Sequence, residues 1–266
     1  MDAFFIQAQE RQLFALLYRA LGPSVGAVLY LHPFAEEMNK SRRMAALQAR
    51  ALAARGYTVL QLDLSGCGDS TGDFGDATWA GWQRDAHAAL DWLRAHSPGP
   101  LLLWGLRTGA SLAAALATAG ADIARLILWQ PVLAGDQFIT QFLRIKLAGE
   151  MLGGEGSQNT KGLLATLSQG TAVEVGGYCL APAMAHEFSA FKLAAQTPQC
   201  AVIYLEIRAE ADALSPANQR LVEGWRASGT PVTAAVVNGV PFWVTQEITE
   251  CPALLYATLA ALDAGS

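Results

Sequence analysis

Histidine is scarce in this chain, and so is cysteine. The four histidines are His32, His87, His96 and His186, so no imidazole follows residue 186. Cys67, Cys179, Cys200 and Cys251 are scattered, with no C-x-x-C pair and no histidine at zinc spacing. They read as reduced thiols, and neither a metal nor a cofactor is expected. Charged residues make up only 15% and leave a net charge of −5, the opposite of the basic surface that nucleic acid selects. No run of about 18 apolar residues occurs, so no transmembrane segment is expected. Met1-Asp2-Ala3-Phe4-Phe5 lacks the basic and apolar regions of a signal peptide. Together these absences predict a cytoplasmic protein.

What is present is apolar patterning. At 266 residues with 52% hydrophobic content, the chain suits one large domain with a sizeable core. Strand-length apolar runs alternate with helix-period segments, the signature of parallel β/α layering. Phe4–Gln7 and Leu13–Tyr18 predict an antiparallel pair at the sheet edge. Ala27–Leu31, Thr58–Leu62, Leu101–Trp104, Leu126–Trp129, Ala201–Ile207 and Val232–Val237 predict further strands. Arg42–Arg55 predicts a helix stopped by Gly56. Other helices are expected over Thr78–His96, after Gly105 through Ala119, over Ala217–Arg226 and near Pro252–Leu262. The alternation weakens from Leu133 to Leu193, where a helix at Gln137–Met151 runs into Gly153-Gly154-Glu155-Gly156-Ser157, read as a mobile connection. The expected organisation is a core of residues 1–132 and 194–266 with an inserted cap at 133–193, a doubly wound, mostly parallel α/β sheet.

Several motifs sit at strand ends. Asp63-Leu64-Ser65-Gly66-Cys67-Gly68-Asp69-Ser70 follows a strand and matches the D-x-x-G-x-G-x-S loop that borders the cleft in α/β-hydrolases. Leu31-His32-Pro33-Phe34 ends another strand where that fold builds half of an oxyanion hole. Pro33 has no N–H, so Phe34 is the candidate donor, and His32 either holds the loop through backbone bonds or acts as a base. Leu103-Trp104-Gly105-Leu106-Arg107-Thr108-Gly109 has the strand-turn-helix form of the G-x-S-x-G nucleophile elbow, with Arg107 at the centre. Arginine is permanently protonated and cannot be a nucleophile. It offers a fixed cation beside free N–H groups, Thr108 included, at a helix N-terminus. Two readings stay open: Arg107 binds a ligand anion, or it pairs with Glu36 or Glu37. Lys40, Arg42 and Arg43 are expected at a helix N-terminus, where the macrodipole disfavours them.

The triad order on this fold is Ser, then acid, then His. Asp212, in Glu210-Ala211-Asp212-Ala213-Leu214-Ser215-Pro216, takes the acid position. No histidine follows it. Asn238-Gly239-Val240-Pro241-Phe242-Trp243 resembles the G-x-H-F loop with Pro241 in place of His, and His186 in the cap is a remote substitute.

Three of these segments together, His32–Arg43, Asp63–Ser70 and Gly105-Leu106-Arg107, are similar to the "hydrolase 2" proteins associated with the exosortase A system, within the α/β-hydrolase superfamily. The resemblance is strongest over residues 26–115. It implies the α/β-hydrolase fold, a bacterial origin, and a link to exopolysaccharide production and the sorting of proteins with a PEP-type C-terminal signal. The departures at two of three triad positions leave three functions to weigh. The first is a binder of a small anionic or acyl-bearing ligand, held by Arg107 with the Phe34 and Thr108 N–H groups, with His32, Glu36 and Glu37 as further expected ligand contacts. The second is an ester or thioester hydrolase with Cys67, Ser70 or Ser111 as nucleophile and His32 as base. The third is a non-catalytic scaffold for sorting or polysaccharide machinery.

Overall fold

The computed structural model describes residues 1–153 and 159–264. In chain order its larger sheet is built from β1 (Asp2–Ala8), β2 (Arg11–Tyr18), β3 (Gly26–Leu31), β4 (Tyr57–Leu62), β5 (Leu101–Leu106) and β6 (Arg125–Trp129). A separate hairpin of β7 (Val173–Val175) and β8 (Tyr178–Leu180) follows, then β9 (Ala201–Arg208) and β10 (Val232–Asn238) return to the large sheet. The order is β1-β2-β4-β3-β5-β6-β9-β10, with β1–β2 and β2–β4 antiparallel and the rest parallel. Every residue of β3 and β5 is buried. That is what central parallel strands covered on both faces require, and it explains their unbroken apolar runs.

Period-two alternation divides the strands between two cores. Leu29, Leu31, Leu103, Leu126 and Leu128 face the side of α2 (Trp79–His96) and α3 (Thr108–Thr118). Val28, Tyr30, Trp104, Ile127 and Trp129 face the side of α1 (Glu36–Ala54) and α8 (Pro252–Asp263). Each fully buried leucine or valine stabilises by about 1.5–3 kcal/mol relative to exposure. On the second side the Trp129 indole N–H donates to Thr258 Oγ1 at 2.9 Å, so the one polar atom of that ring is satisfied in the core. With this strand order and helices on both faces, the chain has the α/β-hydrolase fold that its motifs predict.

Two expectations change. The helix predicted from Arg42 begins at Glu36. Its N-cap residue, Ala35, has no capping side chain, so the usual start signal is missing, while Ser41 lies inside the helix with its hydroxyl donating to the Glu37 carbonyl. Glu36 and Glu37 therefore occupy the first turn, where the macrodipole favours anions. Lys40, Arg42 and Arg43 lie beyond it. Arg42 pairs with Asp63 and Arg43 with Glu250, fastening the helix to two loops.

The second change concerns the stretch between β6 and β9. It holds α4 (Gly135–Gly153), α5 (Thr160–Ser168), the β7–β8 hairpin and α6 (Pro182–Ser189), before α7 (Pro216–Ala227) follows β9. The hairpin is an element that the periodicity does not predict; Gly176 and Gly177 turn it, both at positive φ. Its strands pair only with each other among the described residues. Of the glycine-rich connection, residues 154–157 lie outside the described residues.

Candidate functional site

Strand register brings the site together. Leu31 pairs with both Leu62 and Gly105, so the loops leaving β3, β4 and β5 open on the same carboxyl-end edge, where α/β folds bind ligands. Between β5 and α3 stands Arg107, with φ 55° and ψ −117°. A non-glycine residue in such a conformation costs on the order of 1–3 kcal/mol and persists only if its surroundings hold it. Here the Arg107 N–H donates to the Trp129 carbonyl at 2.9 Å, and the Arg107 carbonyl accepts from Ala110 and Ser111 at 3.1 Å each. Glycine makes the close packing possible. A Cβ on Gly105 would stand 2.4 Å from the Gly109 backbone, and one on Gly109 only 2.1 Å from the Leu31 carbonyl oxygen. The elbow geometry is complete, with a guanidinium at its tip.

That guanidinium lies in a pocket of about 450 Å³ between α1, α4, the β7–β8 hairpin and the loop after β10. Arg107 Nε is 3.4 Å from both Glu37 carboxylate oxygens, and Nη2 is 3.4 Å from Oε1. The group also lies 5.5 Å from the Trp243 ring centre and 5.9 Å from that of Phe138, within cation–π range. The Arg107 and Glu37 side chains are 18% and 16% exposed. Burial raises the Glu37 carboxyl above its ordinary value, against the opposing pull of Arg107's charge and hydrogen bonds. At the rim, Tyr178 donates to Glu36 at 3.1 Å, and Asn39 bonds both of them. Burial, then the Glu36 carboxylate, pushes the Tyr178 hydroxyl up to about 12.

The predicted site residues divide. Arg107, Glu36, Glu37 and Phe34 line this pocket. The Phe34 ring, 1% exposed, makes edge contacts with Phe74, Trp82, Phe138 and Phe142. Thr108, 1% exposed, does not line the pocket, which removes it from the expected ligand contacts. The Phe34 N–H has no backbone acceptor among the described residues and stays a donor, as an oxyanion hole needs.

His32 does not line the pocket. It is 4% exposed, with Nδ1 2.7 Å from the Pro33 carbonyl and Nε2 3.1 Å from the Leu64 N–H. These partners assign the proton to Nδ1 and the acceptor role to Nε2, and burial lowers the imidazole pKa. Its two nitrogens are occupied in holding loops, which removes the expected ligand contact and the expected base.

Asp212 is exposed in the loop after β9 and does not line the pocket. That loop is instead anchored by Glu206, 3% exposed, which accepts from the Ser215 N–H at 2.8 Å. The expected alternative nucleophiles are likewise engaged elsewhere. Ser70 donates to the Asp63 carbonyl and accepts from the Phe14 N–H, and Ser111 donates to the Val132 carbonyl. Cys67 is buried, and burial followed by Asp63 and Asp85 raises its thiol. His186 is exposed on α6 and lines no wall of the pocket.

Sequence reasoning misses three contributors. The loop after β10 brings Trp243, rather than Pro241, against Arg107. Phe138 and Phe142 add stacked rings from α4, and their i, i+4 spacing is the available signal. No serine, cysteine or histidine lines the pocket among the described residues. A larger groove of about 550 Å³ between β1 and α2 contains none of the elbow residues.

The sequence profile of the family described as "Serine aminopeptidase, S33" matches residues 22–159, just over half of the chain. The chicken (Gallus gallus) lysophosphatidylserine lipase ABHD12 is 34% identical over 95 residues, 35% of this chain and 24% of that protein. An uncharacterized protein of Rickettsia prowazekii is 29% identical over 134 residues, 49% of this chain and 56% of that one. The chain thus spans about a quarter to just over half the length of these relatives. Among solved structures, Est1E from Butyrivibrio proteoclasticus with ferulic acid bound superposes with a TM-score of 0.73 at 16% identity, covering 98% of both chains. A thermostable carboxyl esterase from Bacillus coagulans gives 0.69 at 14% identity, covering 99% of this chain and 98% of that one. At such identities the likeness is one of fold.

Proposed function

We propose that this chain, which belongs to the "Serine aminopeptidase, S33" family of α/β hydrolases, uses its elbow pocket to hold a small anionic, acyl- or aryl-bearing ligand rather than to run a serine triad. The observation that carries this is a permanently charged guanidinium at the tip of an intact elbow, in a pocket that no serine, cysteine or histidine lines among the described residues. In this reading Arg107 meets the anion, the Phe34 N–H supplies a further donor, and the rings of Phe138, Phe142 and Trp243 take the apolar body. A charge-assisted hydrogen bond of this kind contributes about 1.5–3 kcal/mol. Two similar proteins, a lysophosphatidylserine lipase and Est1E with ferulic acid bound, carry names in keeping with such a ligand. The segment 133–193 acts as a cap over the core, with α4 and the β7–β8 hairpin forming pocket walls.

The similarity of the His32–Arg43, Asp63–Ser70 and Gly105–Arg107 segments to exosortase A-associated "hydrolase 2" proteins supports a setting for this binding in the bacterial cytoplasm. There it would serve exopolysaccharide production or PEP-type protein sorting.

Treatment with a fluorophosphonate probe tests the absence of a serine triad. Intact mass spectrometry is expected to show unmodified protein. A stoichiometric adduct mapped to Ser65, Ser70 or Ser111 would establish an unconventional hydrolase instead.

A further inference from the structure

The three contacts between Arg107 and Glu37 are all 3.4 Å. Charge-assisted bonds between a guanidinium and a carboxylate ordinarily close to about 2.7–2.9 Å. The pair is therefore loosely made, and Arg107 retains donor capacity for another oxyanion. Both groups face the same pocket, with Phe138 and Trp243 beside the guanidinium. An anion arriving at Arg107 finds a carboxylate already there. Two anions sharing one cation between aromatic walls repel, and one of them is favoured to become neutral.

We infer that Glu37 is an internal stand-in for the ligand: an anionic ligand takes its place on Arg107, and the displaced carboxylate takes up one proton from solvent. This deepens, and rests on, the reading of the pocket as an anion site. The balance is simple. A carboxylate and a solvent proton become a neutral acid as the incoming anion replaces the outgoing one, so the charge facing Arg107 is unchanged. Burial has already raised the Glu37 carboxyl, which eases the protonation.

The groups that face Glu37 are few. From its own helix come Glu36 and Lys40, from the elbow Arg107, and from the hairpin Tyr178, whose hydroxyl stays neutral with a value pushed up to about 12. α4 and the loop after β10 line the pocket with uncharged side chains. Glu36 is the other carboxylate, and it is exposed and bonded to Asn39 and Tyr178 at the rim.

Isothermal titration with 1-octanesulfonate, anionic at every pH used, tests the exchange. Across about pH 5.5 to 8.5 the affinity of the native protein is expected to fall with rising pH, approaching about tenfold per unit once Glu37 is ionised. Buffers of different ionisation enthalpy should report uptake of about one proton per ligand at the alkaline end. Glu37→Gln should flatten the profile and bind at least about tenfold more tightly at that end, whereas Glu36→Gln should keep the slope. A flat profile for the native protein, or a slope that survives Glu37→Gln, overturns the stand-in while leaving an anion site intact. Absence of saturable binding by both proteins at every pH overturns the anion-site reading itself.

Discussion

Gly109→Ala is expected to destabilise the fold by about 3 kcal/mol or more, the upper end of what overpacking costs. The added methyl would stand 2.1 Å from the Leu31 carbonyl oxygen and 2.5 Å from that of His32. Both obstacles are backbone, in a fully buried strand and the loop leaving it, so no side chain can swing aside. α3 has to move away from β3, and the elbow moves with it. For a domain of this size the melting temperature should drop by about 6–12 °C, with pocket binding lost in the fraction that remains folded. Gly224→Ala is the control. Gly224 lies within α7, and a methyl added there would meet nothing within 4 Å, so helix propensity should raise stability by about 0.5–1 kcal/mol. If Gly109→Ala melts like the native protein, the close packing of the elbow is not what holds it.

Arg107→Ala should produce the second large effect, divided between affinity and stability. Losing the guanidinium should weaken binding of an anionic ligand by about 1.5–3 kcal/mol, ten- to over a hundredfold. It also leaves Glu37 without its cation. Breaking a fully buried pair costs about 3–5 kcal/mol; with 16–18% exposure and contacts of 3.4 Å, about 1–2 kcal/mol is expected. The sign with pH follows from the raised Glu37 value. A carboxyl whose folded pKa lies above its unfolded one contributes stability at low pH that is lost as pH rises through the folded value. Removing Arg107 raises that value further, so the stability deficit should be largest near pH 8 and shrink toward pH 5. Glu37→Gln in the Arg107→Ala background should restore the alkaline melting temperature. A deficit equal at both pH values, unrelieved by Glu37→Gln, would assign Arg107 a packing role. Arg107→Ser is expected to create no esterase, since no histidine lines the pocket to take the serine proton.

The sheet is legible in the sequence because β3, β5 and β6 are apolar almost without interruption, and the elbow because Gly105 and Gly109 have a steric reason to be there. What escapes has weaker local signals. α1 starts at a strained alanine rather than at a capping side chain, so its first turn, which carries Glu36 and Glu37, looks like a loop in sequence. The choice between these two as Arg107's partner depends on helical phase, and only the true start sets it. The β7–β8 hairpin has its signal in the Gly176-Gly177 pair between Val175 and Tyr178, but strands of three residues fall below what alternation reveals. Trp243 gains no role from an alignment of its loop on Pro241. His32 looks like chemistry in sequence and is a loop fastener in space, because both of its nitrogens have backbone partners.

The strained backbone at Arg107 has a consequence for heredity. Its conformation is held by the Trp129 carbonyl, by the first turn of α3 and by two glycines, none of which depends on the side chain at position 107. The framework therefore presents whatever residue that codon specifies at the same point, facing the same donors. Serine and arginine share the AG-box of the genetic code and are a single base apart. A lineage on this fold can exchange a reactive hydroxyl for a recognising cation in one mutational step, without first passing through a misfolded protein.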